Sequence, residues 1–439
     1  MFPNLLRLTW FMKRNYYIAV AFFFLSSYSA NAQTKHVLLS NPADLTRSNE
    51  LIVFKRAELL KQFKSIGKDQ FLSVTDKNGQ PKIVQHDDLD KDGLWDEAVL
   101  LCTLKPKESV DLSLSLTSRR MNKAVVLAHV RHRRKNADDT FAAAIDMDSI
   151  PAGQPNTDFT KVSLPPFLTE GPAWENDKVG FRLYFDVRNG KDIWGKTTTK
   201  MMMDTVGANP KAPSYHHQAD WGMDIYKVGS SLSAGALAIS FPLKNGQDTL
   251  VRLGGKNMGK VIYEKIADGP LRAIFKLRYP HWVVSANLKP VSLTEEISIW
   301  GGQCFYQSVV TLDHAPAKAK LVTGFANLFQ LEAKEAQSKG YKTFYSFGLQ
   351  SENKDNMGLA VMVAAKDVAA FGKTAATEKD IKDSYLAYLK IVDKKPLDFR
   401  FYAAWEPTDA RFKSLTGLQE FLNGEMKLQD LQPIKKWLK

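Results

Sequence analysis

Cysteine is nearly absent from this chain, with 2 residues in 439. That excludes a disulfide-built scaffold and any zinc or iron–sulfur centre made of clustered thiolates. Cys102 in "VLLCTL" and Cys304 in "GQCFYQS" could pair in an oxidising compartment, yet their apolar and aromatic neighbours are those of buried free thiols. Histidine is scarce as well, at 8. Long runs of one charge are missing; the densest basic cluster, "RHRRK" at Arg131 to Lys135, is too short for a nucleic-acid arm and reads as a solvated loop. Past residue 32 no stretch approaches the roughly 20 consecutive apolar residues that a membrane-spanning helix needs. Internal repeats and low-complexity tracts are absent. Helical periodicity is confined to "LEAKEAQSK" near Leu331 and "LTGLQEFLNGEMK" near the C-terminal end.

What is present begins with an address. Lys13 and Arg14 lead into the apolar run "YYIAVAFFFLSS" and then the small residues "YSANA" before Gln33, the order of a secretory signal peptide over residues 1–32. No cysteine stands at the cleavage point, which argues against a lipid anchor. The expectation is an exported, periplasmic or secreted protein with no stable membrane insertion. The formal net charge is +13, and the leader contributes only a small part of it. A basic exported chain favours an acidic partner, which could be nucleic acid, a membrane surface or an anionic polysaccharide, and no block of charge is long enough for a nucleic-acid arm.

Elsewhere the hydrophobic period is two. "ELIVFKR", "DLSLSLTS", "VGFRLYFDVRNG", "RAIFKLRY", "SLTEEISIW" and "YQSVVTLDH" alternate, and "KNGQ" and "RNGK" separate such runs as hairpin turns. The predicted fold is mainly β with few helices: a large antiparallel β-sandwich, galactose-mutarotase-like or jelly-roll-like, carrying a smaller N-terminal β subdomain. Residues 33–135 are assigned to the subdomain and 136–439 to the sandwich.

Three stretches concentrate chemistry. In Trp174 to Arg188, "WENDKVGFRLYFDVR", strand alternation sets Val179, Phe181, Leu183, Phe185 and Val187 on one face and Lys178, Arg182, Tyr184, Asp186 and Arg188 on the other. An ordinary amphipathic strand explains the alternation, but not the choice of Arg, Tyr and Asp for the polar face. The second stretch, "YHHQADWGMD", joins Tyr215, His216, His217, Asp220, Trp221 and Asp224. Histidine accepts a proton near neutral pH without special tuning, and adjacent histidines in an extended segment point opposite ways, so one of the two can face a site. Trp221 is the residue type that stacks on a sugar ring. The third, "LRYPHWVV", offers Arg278, Tyr279, His281 and Trp282, with Glu296, Trp300 and Tyr306 on a neighbouring run.

A separate acidic segment, "DDLDKDGLWDE", places Asp88, Asp90 and Asp92 ahead of Gly93 as in the first half of a calcium loop. Position twelve is Val99, so the bidentate glutamate is missing, and Asp96 or Glu97 would have to substitute. The expectation is a structural calcium at Asp88, Asp90, Asp92 and Asp96, with an acidic hairpin turn as the alternative.

The run "EGPAWENDKVGFRLYFDVRNGKDIWGK", then "YHHQADWGMDIYKVGSSLSAGAL" and "DGPLRAIFKLRYPHW", preceded by "DDLDKDGLWDE", resembles the family DUF4861 over nearly the whole chain past the leader. Members of that family are secreted bacterial proteins typically encoded among polysaccharide-utilisation enzymes, and a similar protein acts as an oligosaccharide dehydratase on ulvan fragments. The resemblance implies a role in breaking down polysaccharides that contain uronic acids. One departure from the family pattern is Ser233 in "SSLSAGAL", where a glycine is expected.

Elimination on a uronic acid needs a cation for the carboxylate, a base for the acidified proton at C5, and an acid for the departing oxygen. The residues nominated are Arg182 as carboxylate clamp, His216 or His217 as base with His281 as substitute, and Tyr184 or Tyr215 as acid. Trp221 and Trp282 are sugar platforms, and Trp174, Glu175, Lys178, Asp186, Asp220 and Arg278 complete the binding wall. No cofactor is required. The alternatives are a glycoside hydrolase using a carboxylate pair from Glu175, Asp186, Asp220 and Asp224, or a carbohydrate-binding protein without turnover.

Overall fold

A computed structural model describes residues 33–120 and 124–438, so the expected leader lies outside the described residues. The alternating runs form antiparallel strands throughout. Nine of them make one sheet, in the order Ala333–Gln337, Tyr341–Leu349, Asn356–Ala364, Leu397–Trp405, Phe305–Asp313, Val291–Trp300, Arg272–Trp282, Val261–Asp268 and Met147–Ile150. Two five-stranded sheets share a core with it. One carries Ala128–Arg131, Ala173–Asn176, Val179–Leu183, Lys191–Lys196 and Gly222–Asp224; the other runs from Val251–Arg252 through Ala238–Ser240, Lys320–Ala326 and Ser384–Lys390 to Val368–Lys373. Phe181, Leu183 and Ile193 from the first, Leu321 and Leu389 from the second, and Phe275, Ile297 and Phe399 from the large sheet meet in that core. The predicted β-sandwich is therefore what the chain builds, its inward residues supplied by every second position of each strand.

The N-terminal unit has its own core of Val37, Leu39, Phe54, Leu72, Trp95, Leu100 and Leu114. Its four-stranded sheet is ordered Ile434–Leu438, Lys35–Ser40, Ser109–Thr117, Phe71–Asp76, so the far end of the chain returns to complete it. The boundary expected at 135 moves: Ala128–Arg131 pairs with Ala173–Asn176 and belongs to the large unit. The two units are tied by Gln85, whose side chain bonds the backbone of Leu271 and Arg272, and by Arg272, which meets Asp87 and Glu97.

Two local expectations change. "RHRRK" is not wholly a solvated loop: Arg131 ends a strand and is fully buried with His132, while Arg134 stays exposed. The segment near Leu331 is the edge strand Ala333–Gln337, because pairing with Tyr341–Leu349 satisfies its backbone and outweighs its helix propensity. The C-terminal helix does form, over Leu415–Asp430, capped by Ser414 and packing Leu418, Leu422 and Met426 against the outer face of the large sheet. Cys102 and Cys304 are free. No helix among the described residues is long and apolar enough to cross a membrane.

Candidate active site

The site is built on the sheet that holds Val179–Leu183, Lys191–Lys196 and Gly222–Asp224. The connection from Tyr184 to Gly190 joins two strands in the register Arg182↔Asp192, and the next strand adds Trp194↔Asp224. Because Phe181, Leu183 and Ile193 take the core side, Arg182, Asp192, Trp194 and Asp224 share the other face. The loop between Lys196 and Gly222 folds over that face. Its start is fixed by Glu175, a buried carboxylate that accepts from the backbone N–H of Met202 and Met203 at 2.7 Å each and is ion-paired to Lys196. Its end is zipped by Asp224 N–H donating to Tyr215 O at 2.9 Å, which sets Tyr215 and His216 beside Asp224.

Arg182 is the hub. Its Nη2 donates to Asp192 Oδ2 at 2.7 Å and Asp224 Oδ2 at 2.9 Å, its Nη1 reaches Tyr215 Oη at 3.4 Å, and Glu170 Oε2 lies 3.8 Å from Nη1. Tyr184 Oη donates to Asp192 at 2.8 Å. The guanidinium also lies over the Tyr184, Trp194 and Tyr215 rings. Arg182 is 1 % exposed, with Nε and Nη2 taken up by Asp192, Asp224 and Tyr184, so its burial makes it an organiser of the site in place of the carboxylate clamp expected. Tyr184 is likewise buried, leaving Tyr215 as the phenol at the surface of the network.

His216 stands at the open end. Its Nδ1 is 3.3 Å from Asp224 Oδ2, while its side chain is 59 % exposed. Burial, reinforced by the Arg182 charge, lowers its pKa below the ordinary value, so the neutral base form persists. Burial and the facing Asp192 carboxylate push Asp224 up, and burial pushes the Tyr215 phenol up, keeping its proton on.

The other nominated residues fall elsewhere. His217 is exposed and outside the network, and Asp220 is exposed with its carbonyl accepting from Thr197. Trp221 is half-buried against Trp194, with centroids 5.8 Å apart. Trp174 and Trp282 are fully buried in the sandwich core and present no face to a sugar. Arg278 pairs with Glu264 at 2.5 Å and His281 is exposed, both on the nine-stranded sheet, away from Arg182. Glu175 is sequestered by Lys196, Lys178 lies at the bend after Asn176, and Asp186 is gripped by Arg188. Of the residues near the third patch, Tyr306 donates to Ala234 O at 2.7 Å inside the core. Asp192 and Glu170 were not nominated. Pairing outward from Asn189-Gly190 would have set Arg182 opposite Thr197, whereas the observed register centres on Val187, so neither Asp192 nor Glu170 left a local signal. Ser233 keeps the loop shape expected of glycine by adopting φ 46°, its Oγ accepting from Lys191 N–H.

In the acidic hairpin, Asp88, Asp90 and Asp96 bring carboxylate oxygens within 4.8 Å of one another. Asp88 Oδ1 is buried without a hydrogen-bond partner. Asp92 turns aside to accept from Leu94 N–H at 2.7 Å, so the group that could hold a cation differs from the expected set by one residue. A cavity of about 590 Å³ opens on the helix side of the large sheet, between Arg47, Trp300, Arg400 and Glu425. It lies apart from this chemistry, and most of its arginine donors are taken up by neighbouring groups.

The chain belongs to the family described as Domain of unknown function (DUF4861), which matches residues 39–434. It is 24% identical over 427 residues to "Uncharacterized protein P7" of Formosa agariphila, covering 92% of this chain and 95% of that one. Among solved structures it is similar to an alpha-mannosidase from Enterococcus faecalis V583, at 9% identity and TM-score 0.49 over 92% of this chain and 46% of that chain. A glycosyl hydrolase family 38 protein from Enterococcus faecalis matches at 8% identity and TM-score 0.44, over 92% and 47% of the respective chains. The chain thus spans about half the length of these two structures.

Proposed function

We propose that the protein is a carbohydrate-active enzyme that acts on oligosaccharides containing uronic acid by elimination, with His216 as base and Tyr215 as acid. The observation that carries this reading is the His216 imidazole, whose Nδ1 lies 3.3 Å from buried Asp224 while its side chain stays 59 % exposed. A carboxyl group behind one ring nitrogen holds the ring's orientation while the other nitrogen takes a proton, and the Asp192 and Glu170 charges favour the imidazolium that forms. His216 Nε2 removes the C5 proton; the electron pair forms the double bond between C5 and C4, the C4–O bond breaks, and the Tyr215 phenol gives its proton to the leaving oxygen. The product leaves as water in a dehydration or as a sugar hydroxyl in chain cleavage. Trp221 supplies the exposed edge on which a sugar ring stacks. The step needs no cofactor; calcium, if bound at Asp88, Asp90 and Asp96, would brace the N-terminal hairpin. Membership of the family suits such a substrate, as would the export expected from residues 1–32.

The test is incubation of the protein with saturated and lyase-cut uronic-acid oligosaccharides, read by ultraviolet absorbance and mass spectrometry. New conjugated absorbance with loss of one water, or with cleavage, is the expected result. Gain of water across a broken bond would instead mark hydrolysis and overturn the elimination step. Binding of these sugars with no product at all would leave a carbohydrate-binding protein.

A further inference from the structure

With Arg182 buried, the site still needs a group that meets an acidic sugar. The backbone points to one. Thr169 and Glu170 both sit in the left-handed region, at φ 49° and 66°, followed by Gly171 at φ 157°. Two consecutive non-glycine residues there are strained, and such strain persists only where the surroundings over-determine it. Arg131 does so. Fully buried, it donates from Nη1 to Leu168 O at 2.8 Å and Gly171 O at 2.9 Å, from Nη2 to Thr169 Oγ1 at 2.7 Å, and from Nε to Met203 O at 2.8 Å. Gly171 is fixed by contact, since a Cβ there would lie 2.1 Å from Leu183 O.

What this turn delivers is the Glu170 carboxylate, 7 % exposed, placed against two guanidinium groups. Oε1 accepts from Arg188 Nη2 at 2.6 Å, and Oε2 lies 3.8 Å from Arg182 Nη1. Arg188 is the outer of the two, with its side chain 35 % exposed. Asp186 grips its Nε and Nη2, and the guanidinium lies over the Tyr184 ring at 3.9 Å from the centroid. Its Nη1 makes no hydrogen bond within this network. Three independent contacts thus fix a planar cation whose Nη1 is left to donate, a charge-assisted contact for one carboxylate oxygen.

We propose that Arg188 is the carboxylate-binding subsite for an acidic oligosaccharide, and that Glu170, presented by the strained turn, is the positioning residue that aims it. This rests on the uronic-acid reading above and deepens it. Asp186 and Glu170 offset the charge of Arg188 and Arg182, so recognition depends on geometry more than on a diffuse basic surface.

The test compares Glu170→Gln with wild type by calorimetric binding of a uronic-acid oligosaccharide and of its methyl ester, and follows the His216 titration by NMR. Glu170→Gln should weaken the acidic ligand about tenfold, as expected for a misaimed charge-assisted bond, and leave the ester unchanged. It should also lower the His216 midpoint, because a carboxylate that favours the imidazolium is gone. Equal loss for acid and ester, no loss for either, or an unmoved His216 midpoint would overturn the proposal. Should the glutamine variant not fold, Glu170→Asp keeps the charge and withdraws it by one methylene, and must still discriminate against the acid. If wild type binds no uronic-acid sugar, the uronic-acid reading and the Arg188 subsite fall together. A shifted His216 midpoint in Glu170→Gln would then still fix Glu170 as a positioning residue of whatever chemistry His216 serves.

Discussion

His216 and His217 are neighbours of one residue type, and only one of them touches the buried network. Replacing His216 with alanine should therefore abolish product formation while leaving sugar binding within a few-fold, whereas His217→Ala should keep near wild-type turnover; steady-state rates for the two variants decide it. Because burial and Arg182 lower the His216 pKa, the acid limb of the kcat/KM profile should lie below the ordinary histidine value of about 6.5. Arg182 answers to a different measurement. It bridges Asp192 and Asp224 out of water, so Arg182→Met strands two buried carboxylates and should cost about 3–5 kcal/mol in urea unfolding, as breaking a buried ion pair from one side does. A loss under about 1 kcal/mol would mean the network is solvated.

The loop from Thr197 to Trp221 matters as a unit, since it carries Tyr215, His216 and Trp221. Besides Glu175 it is held by His129, whose Nε2 meets Asp204 of the loop at 3.0 Å while Nδ1 meets Asp268 at 2.8 Å. Burial disfavours the imidazolium, but the bonds to Asp204 and Asp268 outweigh it and push the His129 pKa up to about 9. Lys265 is also near, 3.7 Å from Asp268. A histidine raised in the folded state lends stability that is complete below its unfolded value of about 6.5 and is lost as pH rises through about 9. Proteolysis within the loop should accordingly increase between those values in wild type, and His129→Gln should be equally sensitive at both ends. For the acidic hairpin, calcium should raise the unfolding temperature of wild type and not of Asp90→Asn; equal responses would make Asp88, Asp90 and Asp96 a plain turn.

On the scale of the molecule, the chain closes on itself: Ile434–Leu438 pairs with Lys35–Ser40, and Trp437 packs on Phe54 with centroids 6.3 Å apart. Truncation before Ile434 should bare that edge and uncouple the N-terminal unit, seen as an earlier, separate unfolding transition with the Arg182 network intact. By itself the sequence determined what is local. Period-two alternation set the strands, the "RNGK" run marked the return of the chain without giving the register that sets Asp192 beside Arg182, and Ser414 with the Leu418, Leu422, Met426 spacing set the C-terminal helix. Tertiary structure alone decided what is buried. Arg182 reads as a solvent-facing cation until the loop from Lys196 to Gly222 covers it; Trp174 and Trp282 read as sugar platforms until a second sheet packs on them. Burial is a property of two surfaces meeting, and a tryptophan or an arginine carries no local mark of which surface will arrive. The strained turn at Thr169 and Glu170 is the extreme case: nothing in its own residues asks for that conformation, and Arg131, brought from another strand, imposes it.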